Sequence, residues 1–475
     1  MQQTRRDFLK TSGAFTAGMA WADSTTVSQA AEAPVQRPNI LLFHSHDLGQ
    51  FLHCYGVKTV QTPNLDAFAA AGVRFARSFC TAPQCSPSRA SIFTGRYPHN
   101  NGVMGLCHAN FAWDLNPEER HMAQILKDAG YATWAIGVIH ETKSGHQRCG
   151  YDGYDSNAYA TTATDNAIRR LKELQAQAKP FFLCVGTIEP HRLPNPEPPH
   201  EHFFLGKNLQ PDDTLGVLAP GYLRDTPDTR RELAELQGAV RHVDENFGRL
   251  MQALKELNLI ENTLVIFTTD HGIAMPRAKC SLYDPGVQVA LLLRYPGQKG
   301  WYGGAVQRPL ISNVDVLPSI LELIGVARPV NLQGKSFRPL LEGGEYQPRA
   351  EVFTEMTYHN YYDPCRSIRT ETHKLIANFS TAPAFMDPSQ CWRPRSETVV
   401  PENPASAYHP YLELYDLVAD PYEQVDLAGK PKYAQIQKEL ARRLLQHLTQ
   451  TDDPILQGAV TSPQHKKAAE LLQGA

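Results

Sequence analysis

The sequence lacks the features that mark a membrane-spanning or nucleic-acid-binding protein. It contains no apolar run long enough to cross a bilayer, so stable membrane insertion is not expected. It has no excess of positive charge, because 46 Lys and Arg residues are balanced by 49 Asp and Glu residues, which leaves a net charge of −3. Neither a nucleic acid nor an anionic membrane is therefore an expected partner. An anionic substrate would have to be bound by a local group of cationic side chains.

The spacing of the cysteines excludes two common roles for this residue. The nine cysteines show neither the CxxC pairs of a zinc site nor the dense spacing of a small disulfide-bonded domain. Because their number is odd, at least one thiol has no partner within the chain. One or two disulfides are compatible with the sequence, which does not assign their pairing. Cys184 lies inside the apolar run FFLCVG, where we expect a small buried side chain.

Residues 1–33 have the pattern of an export signal. The segment TRRDFLK matches a twin-arginine signal, a weakly apolar stretch follows, and Ala30 and Ala33 offer small-residue cleavage sites. The alternative is the start of a basic amphipathic helix. The signal predicts a periplasmic or secreted protein that needs the twin-arginine export machinery.

Apolar runs and amphipathic stretches alternate over residues 34–344. We predict buried strands at residues 39–43, 132–136, 180–186 and 263–269, with helices at 161–177 and 230–257. This rhythm predicts an α/β fold in which a large, mostly parallel sheet is sandwiched by helices. The proline-rich residues 193–226 predict a long loop beside the site.

The pattern changes after Gly344. Residues 345–455 predict a smaller C-terminal α+β subdomain built on an antiparallel sheet. Its last helix carries Ile436, Leu440, Leu444 and Leu448 at a spacing of four, which indicates a packing face. Residues 456–475 are predicted to be a polar tail.

A histidine or an acid follows each of the four predicted core strands. These residues are His44, His46 and Asp47, then His140 and Glu141, then Glu189 and His191, and finally Asp270 and His271. Ligands bind at the carboxyl ends of the strands in open parallel sheets. One such residue is explained by capping, but four sets in an exported protein predict a functional site. The acids and their neighbouring imidazoles suit one divalent cation, and the other histidines suit proton transfer.

The segment APQCSPSRASIFTGRYP places Cys85 at the start of a predicted helix. Pro87 is typical of a first helical turn, and a helix N-terminus favours anions. Arg89 lies one turn later, where its guanidinium would hold the same anion. A thiol at this position suggests a nucleophile with a lowered pKa, although thiol chemistry does not explain the predicted metal.

Cys85–Ser86–Pro87–Ser88–Arg89 and the following TGR element resemble the signature of the type I, formylglycine-dependent sulfatases of the alkaline phosphatase superfamily. Further segments look like sulfatase segments in the same order between residues 37 and 430, and they include TPNLDAFAAAGVRF, TLVIFTTDHG, LYDPGVQV and LYDLVADPYE. The resemblance implies that a separate formylglycine-generating enzyme oxidises Cys85. The hydrated aldehyde would then be the nucleophile, and the thiol only its precursor.

The resemblance also implies a role for each residue that matches a family motif. One divalent metal would be bound by His46, Asp47, residue 85, Asp270 and His271. Arg89 would support the formylglycine, and His191 and Lys279 would bind sulfate and assist the leaving group. His140 would take a proton from the remaining hydroxyl.

The sequence departs from the family pattern at three positions. His46 stands where the first acid pair usually has Asp, and His271 where the second pair often has Asn. Two imidazoles are less suited to calcium than to manganese or zinc, but calcium is the family default and stays the expected metal. Val138 replaces a lysine that often precedes the catalytic histidine, so Lys279, Arg192 or another histidine must compensate.

Within the family, CSPSRASIFTG, NNGVMGL, PHR and TYHNYYDPCRSIRT resemble the heparan N-sulfatase branch. This resemblance makes Arg192, His359 and Arg366 candidate contacts to the sugar or its carboxylated neighbour, with ion pairs as the alternative. The expected function is hydrolysis of sulfate from a sulfated glycan, specifically the N-sulfate of glucosamine in heparan or heparin fragments. The alternatives are an O-sulfatase, a phosphonate or phosphodiester hydrolase of the same superfamily, and a non-catalytic glycan-binding protein.

Overall fold

The structure, a computed structural model, describes residues 37–177, 179–194, 202–204, 209–381 and 408–474. The predicted export signal lies outside the described residues. The strands are β1 (Asn39–Ser45), β2 (Val73–Phe75), β3 (Ser78–Phe79), β4 (Ala132–Gly137), β5 (Gly153–Asp155), β6 (Phe181–Thr187), β7 (Leu193–Pro194), β8 (His202–Phe203), β9 (Thr263–Thr269), β10 (Leu291–Arg294), β11 (Ala305–Gln307), β12 (Ile311–Ser312), β13 (Glu351–Tyr358), β14 (Tyr362–Thr370), β15 (His373–Asn378) and β16 (Leu412–Asp416).

The helices cover the sheets and connect their strands. They are α1 (Pro63–Ala71), α2 (Cys85–Thr94), α3 (Pro98–Asn101), α4 (Met122–Asp128), α5 (His146–Cys149), α6 (Ala160–Gln175), α7 (Pro227–Glu256), α8 (Asp284–Val287), α9 (Val316–Leu323), α10 (Arg338–Glu342), α11 (Ala434–Gln450) and α12 (Pro463–Gln473). The long helix α7 begins where Pro227 follows Thr226, whose hydroxyl accepts a hydrogen bond from the N–H of Thr229.

An eight-stranded sheet with the order β11-β2-β10-β9-β1-β6-β4-β5 forms the core. Strands β9, β1, β6, β4 and β5 are parallel neighbours, whereas β10 is antiparallel to both β9 and β2. Alternate side chains of β1 enter opposite cores. Leu41 and Phe43 pack with residues of α6 and α7, and Ile40 and Leu42 pack with residues of α4 and α9. The predicted sheet between two layers of helices is confirmed.

The C-terminal part contains the predicted antiparallel sheet, with the order β13-β14-β15-β16. Helix α11 packs through Leu440, Leu444 and Leu448, which are buried, whereas Ile436 is 36% exposed. The segment predicted as a polar tail instead contains α12, which the hydroxyl of Ser462 caps by accepting from the N–H of His465.

Two expectations from the composition can be compared with the described residues. The eight cysteines in the described part of the chain are free thiols, and Cys391 lies outside it. Among the same residues, no helix combines the length and apolar character needed to cross a bilayer.

Candidate active site

The register of the central strands brings the predicted site residues to one edge of the sheet. Ser45 at the end of β1 pairs with Thr269 of β9 on one side and with Thr187 of β6 on the other. Strand β4 continues beside β6 in the same direction. The residues that follow these strands therefore meet at their shared carboxyl end, as the sequence predicted for a parallel sheet.

Helix α2 places Cys85 beside these strand ends. All ten residues of the helix are buried, and Gln84 precedes it in an extended conformation. The hydroxyl of Ser88 donates to the carbonyl of Asp270 over 2.5 Å, which ties the first turn of the helix to the end of β9. Cys85 Sγ lies 3.4 Å from His271 Nε2. The short polar residues of this turn thus fix the position of Cys85.

The five predicted metal ligands form one buried group, here called the metal group, which consists of His46, Asp47, Cys85, Asp270 and His271. One donor atom from each lies within 4.8 Å of all the others, and each residue is at most 2% exposed. His46 Nδ1 is 3.2 Å from Asp270 Oδ2, and His271 Nε2 is 3.2 Å from Asp47 Oδ1. The strands and helix α2 thus bring the five donors together.

The hydrogen bonds around the metal group fit a divalent cation. His271 Nδ1 donates to the carbonyl of Gly272 over 2.9 Å, so Nε2 is the nitrogen that faces the carboxylate of Asp47. His46 Nε2 is buried and has no hydrogen-bond partner among the described residues. Two imidazoles and two carboxylates are the nitrogen and oxygen donors that manganese and zinc accept.

Lys279 is the ammonium nearest to the metal group. Its Nζ lies 2.7 Å from Asp47 Oδ2 and 3.2 Å from His191 Nε2. Burial alone would raise the pKa of Asp47, but Lys279, His191 and His271 hold that pKa well below its usual value. Burial would lower the pKa of Lys279, and Asp47 instead raises it. Both groups therefore remain ionised.

Burial lowers the pKa of His191 to about 3, which leaves its ring neutral. His191 Nδ1 lies 2.7 Å from the carbonyl of Arg192 and donates to it, so Nε2 is the acceptor that faces Lys279. The predicted pair of His191 and Lys279 is thus in direct contact at the site.

Arg89 lies beneath the metal group and is 1% exposed. Its Nε and Nη2 both donate to Asp270 Oδ2 over 3.1 Å, and its Nη1 lies 2.5 Å from Nδ1 of His44. Arg89 therefore orients one carboxylate of the metal group. His44 lies near the end of β1, and no sequence motif indicated its buried contact with Arg89.

The thiol of Cys85 is not poised as a thiolate. Burial raises its pKa to about 12, with only partial opposition from Lys279. The hypothesis of a lowered thiol pKa, based on the helix N-terminus and Arg89, has the wrong direction because desolvation outweighs both cations.

His140 lies at the same edge, with its ring 5.6 Å from that of His46. Its Nδ1 is buried without a hydrogen-bond partner among the described residues. The backbone N–H of His140 donates to Glu141 Oε2 over 2.8 Å, and Glu141 Oε1 lies 3.3 Å from His121 Nε2. His121 Nδ1 accepts from the N–H of Ala123, so its proton is on Nε2 and points at Glu141. This buried pair fixes the backbone at His140.

The three predicted substrate contacts lie in different surroundings. Arg192 donates to Glu232 over 2.8 Å and Arg366 donates to both oxygens of Asp453, and each arginine is 1% exposed. These hydrogen bonds support the alternative of buried ion pairs rather than direct sugar contacts. His359 is also buried, but Lys279 and other site residues act with burial to lower its pKa, and its Nδ1 has no hydrogen-bond partner among the described residues.

Comparisons with known proteins agree with this geometry. The family model described as Sulfatase matches residues 38–326, and the model described as N-sulphoglucosamine sulphohydrolase, C-terminal, matches residues 276–387. The chain is 30% identical to N-sulphoglucosamine sulphohydrolase of Homo sapiens over 459 residues, which cover 88% of this chain and 91% of that protein. It is 27% identical to N-acetylglucosamine-6-O-sulfatase of Bacteroides thetaiotaomicron, with 86% of each chain covered.

The fold is also similar to that of solved structures. One is a structure in complex with its substrate D-glucosamine-2-N,6-O-disulfate, with a TM-score of 0.66 and 23% sequence identity. That likeness covers 88% of this chain and 99% of the other. Sequence and fold lead to the same conclusion: the chain belongs to the sulfatase family, whose members hydrolyse sulfate esters and sulfamates.

Proposed function

We propose that the protein removes sulfate from a sulfated glycan, with the N-sulfate of glucosamine as its substrate group. The observation that carries this proposal is the position of Cys85 at the start of a buried helix, against the metal group and Lys279. The similarity to N-sulphoglucosamine sulphohydrolase and to the C-terminal model of that enzyme supports the choice of substrate.

We propose that residue 85 acts as formylglycine, made by a formylglycine-generating enzyme. The modified residue would supply the hydroxyl of a hydrated aldehyde as the nucleophile, and a divalent metal would supply a Lewis acid for the sulfate oxygens. The high pKa of the unmodified thiol supports a precursor role for Cys85.

The other side chains have proposed roles that follow from their contacts. Lys279 and His191 would bind the sulfate group and assist the leaving amine, because the Lys279 ammonium lies within hydrogen-bond distance of His191 Nε2. His140 would accept a proton at its unpartnered Nδ1. Arg89 would hold Asp270 in place.

We propose that the metal is calcium, the family default, with manganese or zinc as the alternative. The alternative rests on His46 and His271, which contribute imidazole nitrogens that calcium disfavours and transition metals accept. Metal analysis of the purified protein checks this proposal. Manganese or zinc at one equivalent, without calcium, would contradict it.

An O-sulfatase is the second candidate function, because the chain is similar to an N-acetylglucosamine-6-O-sulfatase over 86% of its length. The metal group and Lys279 would serve either linkage. Activity on a phosphonate or phosphate diester is favoured only by the two imidazoles of the metal group, and an intact set of catalytic residues argues against a non-catalytic glycan-binding protein.

We also propose that the protein is periplasmic or secreted. The twin-arginine segment in residues 1–33 supports this location and the twin-arginine export machinery as a partner. Fractionation of cells that carry the wild-type chain or a variant with both Arg5 and Arg6 replaced by Lys tests the proposal. An unchanged location of the variant would contradict it.

The test of the proposed function compares two substrates, glucosamine with only an N-sulfate and glucosamine with only a 6-O-sulfate. The protein is produced with a formylglycine-generating enzyme, and Cys85→Ala is the control. Sulfate release from the N-sulfated sugar alone is the expected result. Release from the 6-O-sulfated sugar alone would keep the chemistry and overturn the substrate. Release from neither would overturn the proposal for glucosamine sulfates.

A further inference from the structure

His108 is an exposed imidazole on the solvent side of the active site that has no role so far. Its ring stacks on that of His140, with centroids 4.8 Å apart and an angle of 12° between the planes. Phe111 packs edge-on with the same ring, with centroids 5.5 Å apart. Because His140 in turn contacts His46, these rings extend from the metal group to the solvent.

The backbone beside His108 is fixed to the nucleophile helix. The N–H of Cys107 donates to the hydroxyl of Ser86 over 3.1 Å, and Ser86 directly follows Cys85. Cys107 is buried, whereas His108 is exposed. The same loop therefore contacts the first turn of α2 and carries an imidazole that is exposed to solvent.

Two cations of the site have carboxylate partners. The guanidinium of Arg192 donates to Glu232, and the ammonium of Lys279 lies against Asp47. Val138 stands at the position where the family pattern implies a lysine. His108, stacked on His140 at the solvent side, would add a donor to the sulfate contacts proposed for Lys279 and His191.

We propose that His108 is a substrate-contacting residue that donates a hydrogen bond to the anionic sulfate group and replaces the missing lysine contact. This inference rests on the proposed function and adds one residue to its binding site. In cationic form the imidazole would make a charge-assisted hydrogen bond, which is about twice as strong as a neutral one.

The charges around His108 determine how its contact depends on pH. Burial and the Lys279 charge lower the pKa of His108 in the free protein. Helix α12, which packs beside Ala109–Phe111, carries His465, Lys466, Lys467 and Glu470, and His140 stacks on the ring of His108. A bound sulfate adds negative charge and raises the pKa of His108. Binding therefore takes up a proton and weakens as pH rises.

Two substitutions separate an anion contact from a stacking role. His108→Phe keeps an aromatic ring on His140 but cannot donate to sulfate, whereas His108→Lys loses the ring and keeps a cation. The KM for the sulfated glucosamine is measured for both variants. Calorimetric titration with inorganic sulfate gives a second readout that does not depend on turnover. His53→Phe, at an exposed histidine paired with Asp66, is the matched control.

We expect His108→Phe to raise KM and weaken sulfate binding by about tenfold, the equivalent of about 1.4 kcal/mol. His108→Lys should stay within about threefold of the wild type and lose the weakening at higher pH. The reverse order, with a normal Phe variant and a defective Lys variant, would overturn the inference in favour of stacking.

Failure of this inference is distinguishable from failure of the proposed function. A wild-type protein that binds inorganic sulfate but hydrolyses no glucosamine sulfate contradicts the proposed function alone. Equal sulfate binding by wild type and His108→Phe overturns the role of His108 whatever the substrate, and so does a wild type that binds no sulfate.

Discussion

The metal group and a second buried cluster look alike in composition but differ in the number of donor residues that converge. The second cluster, here called the Asp453 cluster, consists of His99, Glu355, Arg366 and Asp453. Like the metal group, it brings a histidine and two carboxylates within 4.8 Å of one another. Its residues come from α3, two strands of the C-terminal sheet and the segment after α11.

In the Asp453 cluster every carboxylate faces a donor. Arg366 donates through two nitrogens to Asp453, over 2.5 and 3.0 Å. Glu355 accepts from the backbone N–H of His99 over 2.8 Å and pairs with the ring of His99. The guanidinium of Arg366 and the N–H of His99 satisfy the carboxylate oxygens that they contact, so no metal is needed to explain the burial of these carboxylates.

The metal group differs in its donor set. Five donor residues converge in it, against three in the Asp453 cluster. His271 Nε2 lies 3.2 Å from Asp47 Oδ1 and 3.4 Å from the sulfur of Cys85. The comparison teaches that a buried histidine beside two carboxylates does not by itself identify a metal site, and that the number of converging donors separates the two clusters.

The largest expected effect is the loss of activity without loss of stability on changing Cys85. Cys85→Ala should lower the kcat/KM for sulfate release by more than about 1000-fold, because it removes the nucleophile. The midpoint of its thermal unfolding should stay close to that of the wild type, since the substitution removes only one buried sulfur atom. Cys54→Ala, at a partly buried cysteine outside the metal group, is the control. A kcat/KM of Cys85→Ala close to that of Cys54→Ala would contradict the role of Cys85.

The opposite behaviour is expected of the Asp453 cluster. Arg366→Ala leaves Asp453 buried beside Glu355 without its cation and should cost about 4 kcal/mol of unfolding free energy. Urea unfolding at pH 7 measures this cost. The kcat of the remaining folded protein should change little, and a loss as large as that of Cys85→Ala would place Arg366 in the site instead.

A smaller effect is expected where Glu141 positions His140. The two carboxylate oxygens of Glu141 face two N–H groups, the Nε2–H of His121 and the backbone N–H of His140. In Glu141→Gln one oxygen becomes an NH2 group, so one of these two contacts is lost. We expect kcat to fall about tenfold while KM stays within about twofold, because His140 acts after the substrate has bound. Exposed Glu345→Gln is the control. A rise in KM with unchanged kcat would contradict a positioning role.

The smallest effect is the acid sensitivity of the Asp453 cluster. Burial opposes ionisation of Asp453, but Arg366 and His99 hold its pKa below the ordinary 3.8. The stability from this ion pair is present above pH 3.8 and is lost as the pH falls below it. Urea unfolding at pH 5 and pH 3 should show a smaller loss for Asp453→Asn than for the wild type, and equal losses would contradict this assignment.

Most of the fold could be predicted from the sequence because local patterns encode it. Uninterrupted apolar runs predicted β1, β4, β6 and β9, each within two residues of its observed limits. The end of the chain was harder. Helix α12 has no buried residues, so the sequence of this segment shows no apolar face that marks it as a helix.

The site could be predicted in part, for a physical reason. The metal group follows directly from the parallel pairing of β1 and β9, which fixes Asp47 beside Asp270. The role of an arginine does not follow from its motif. Arg89 contacts Asp270 of the metal group, whereas Arg366 contacts Asp453, and the fold decides which carboxylate each one meets. His108 carries no sequence signal, since its stacking partner lies 32 positions along the chain.

The most direct test of the central claim is the mass of the tryptic peptide that contains residue 85, from protein produced with a formylglycine-generating enzyme and active in sulfate release. The account predicts formylglycine at this position in the active protein, and one divalent metal bound to it and the other members of the metal group. An active protein in which residue 85 is entirely cysteine would contradict the account.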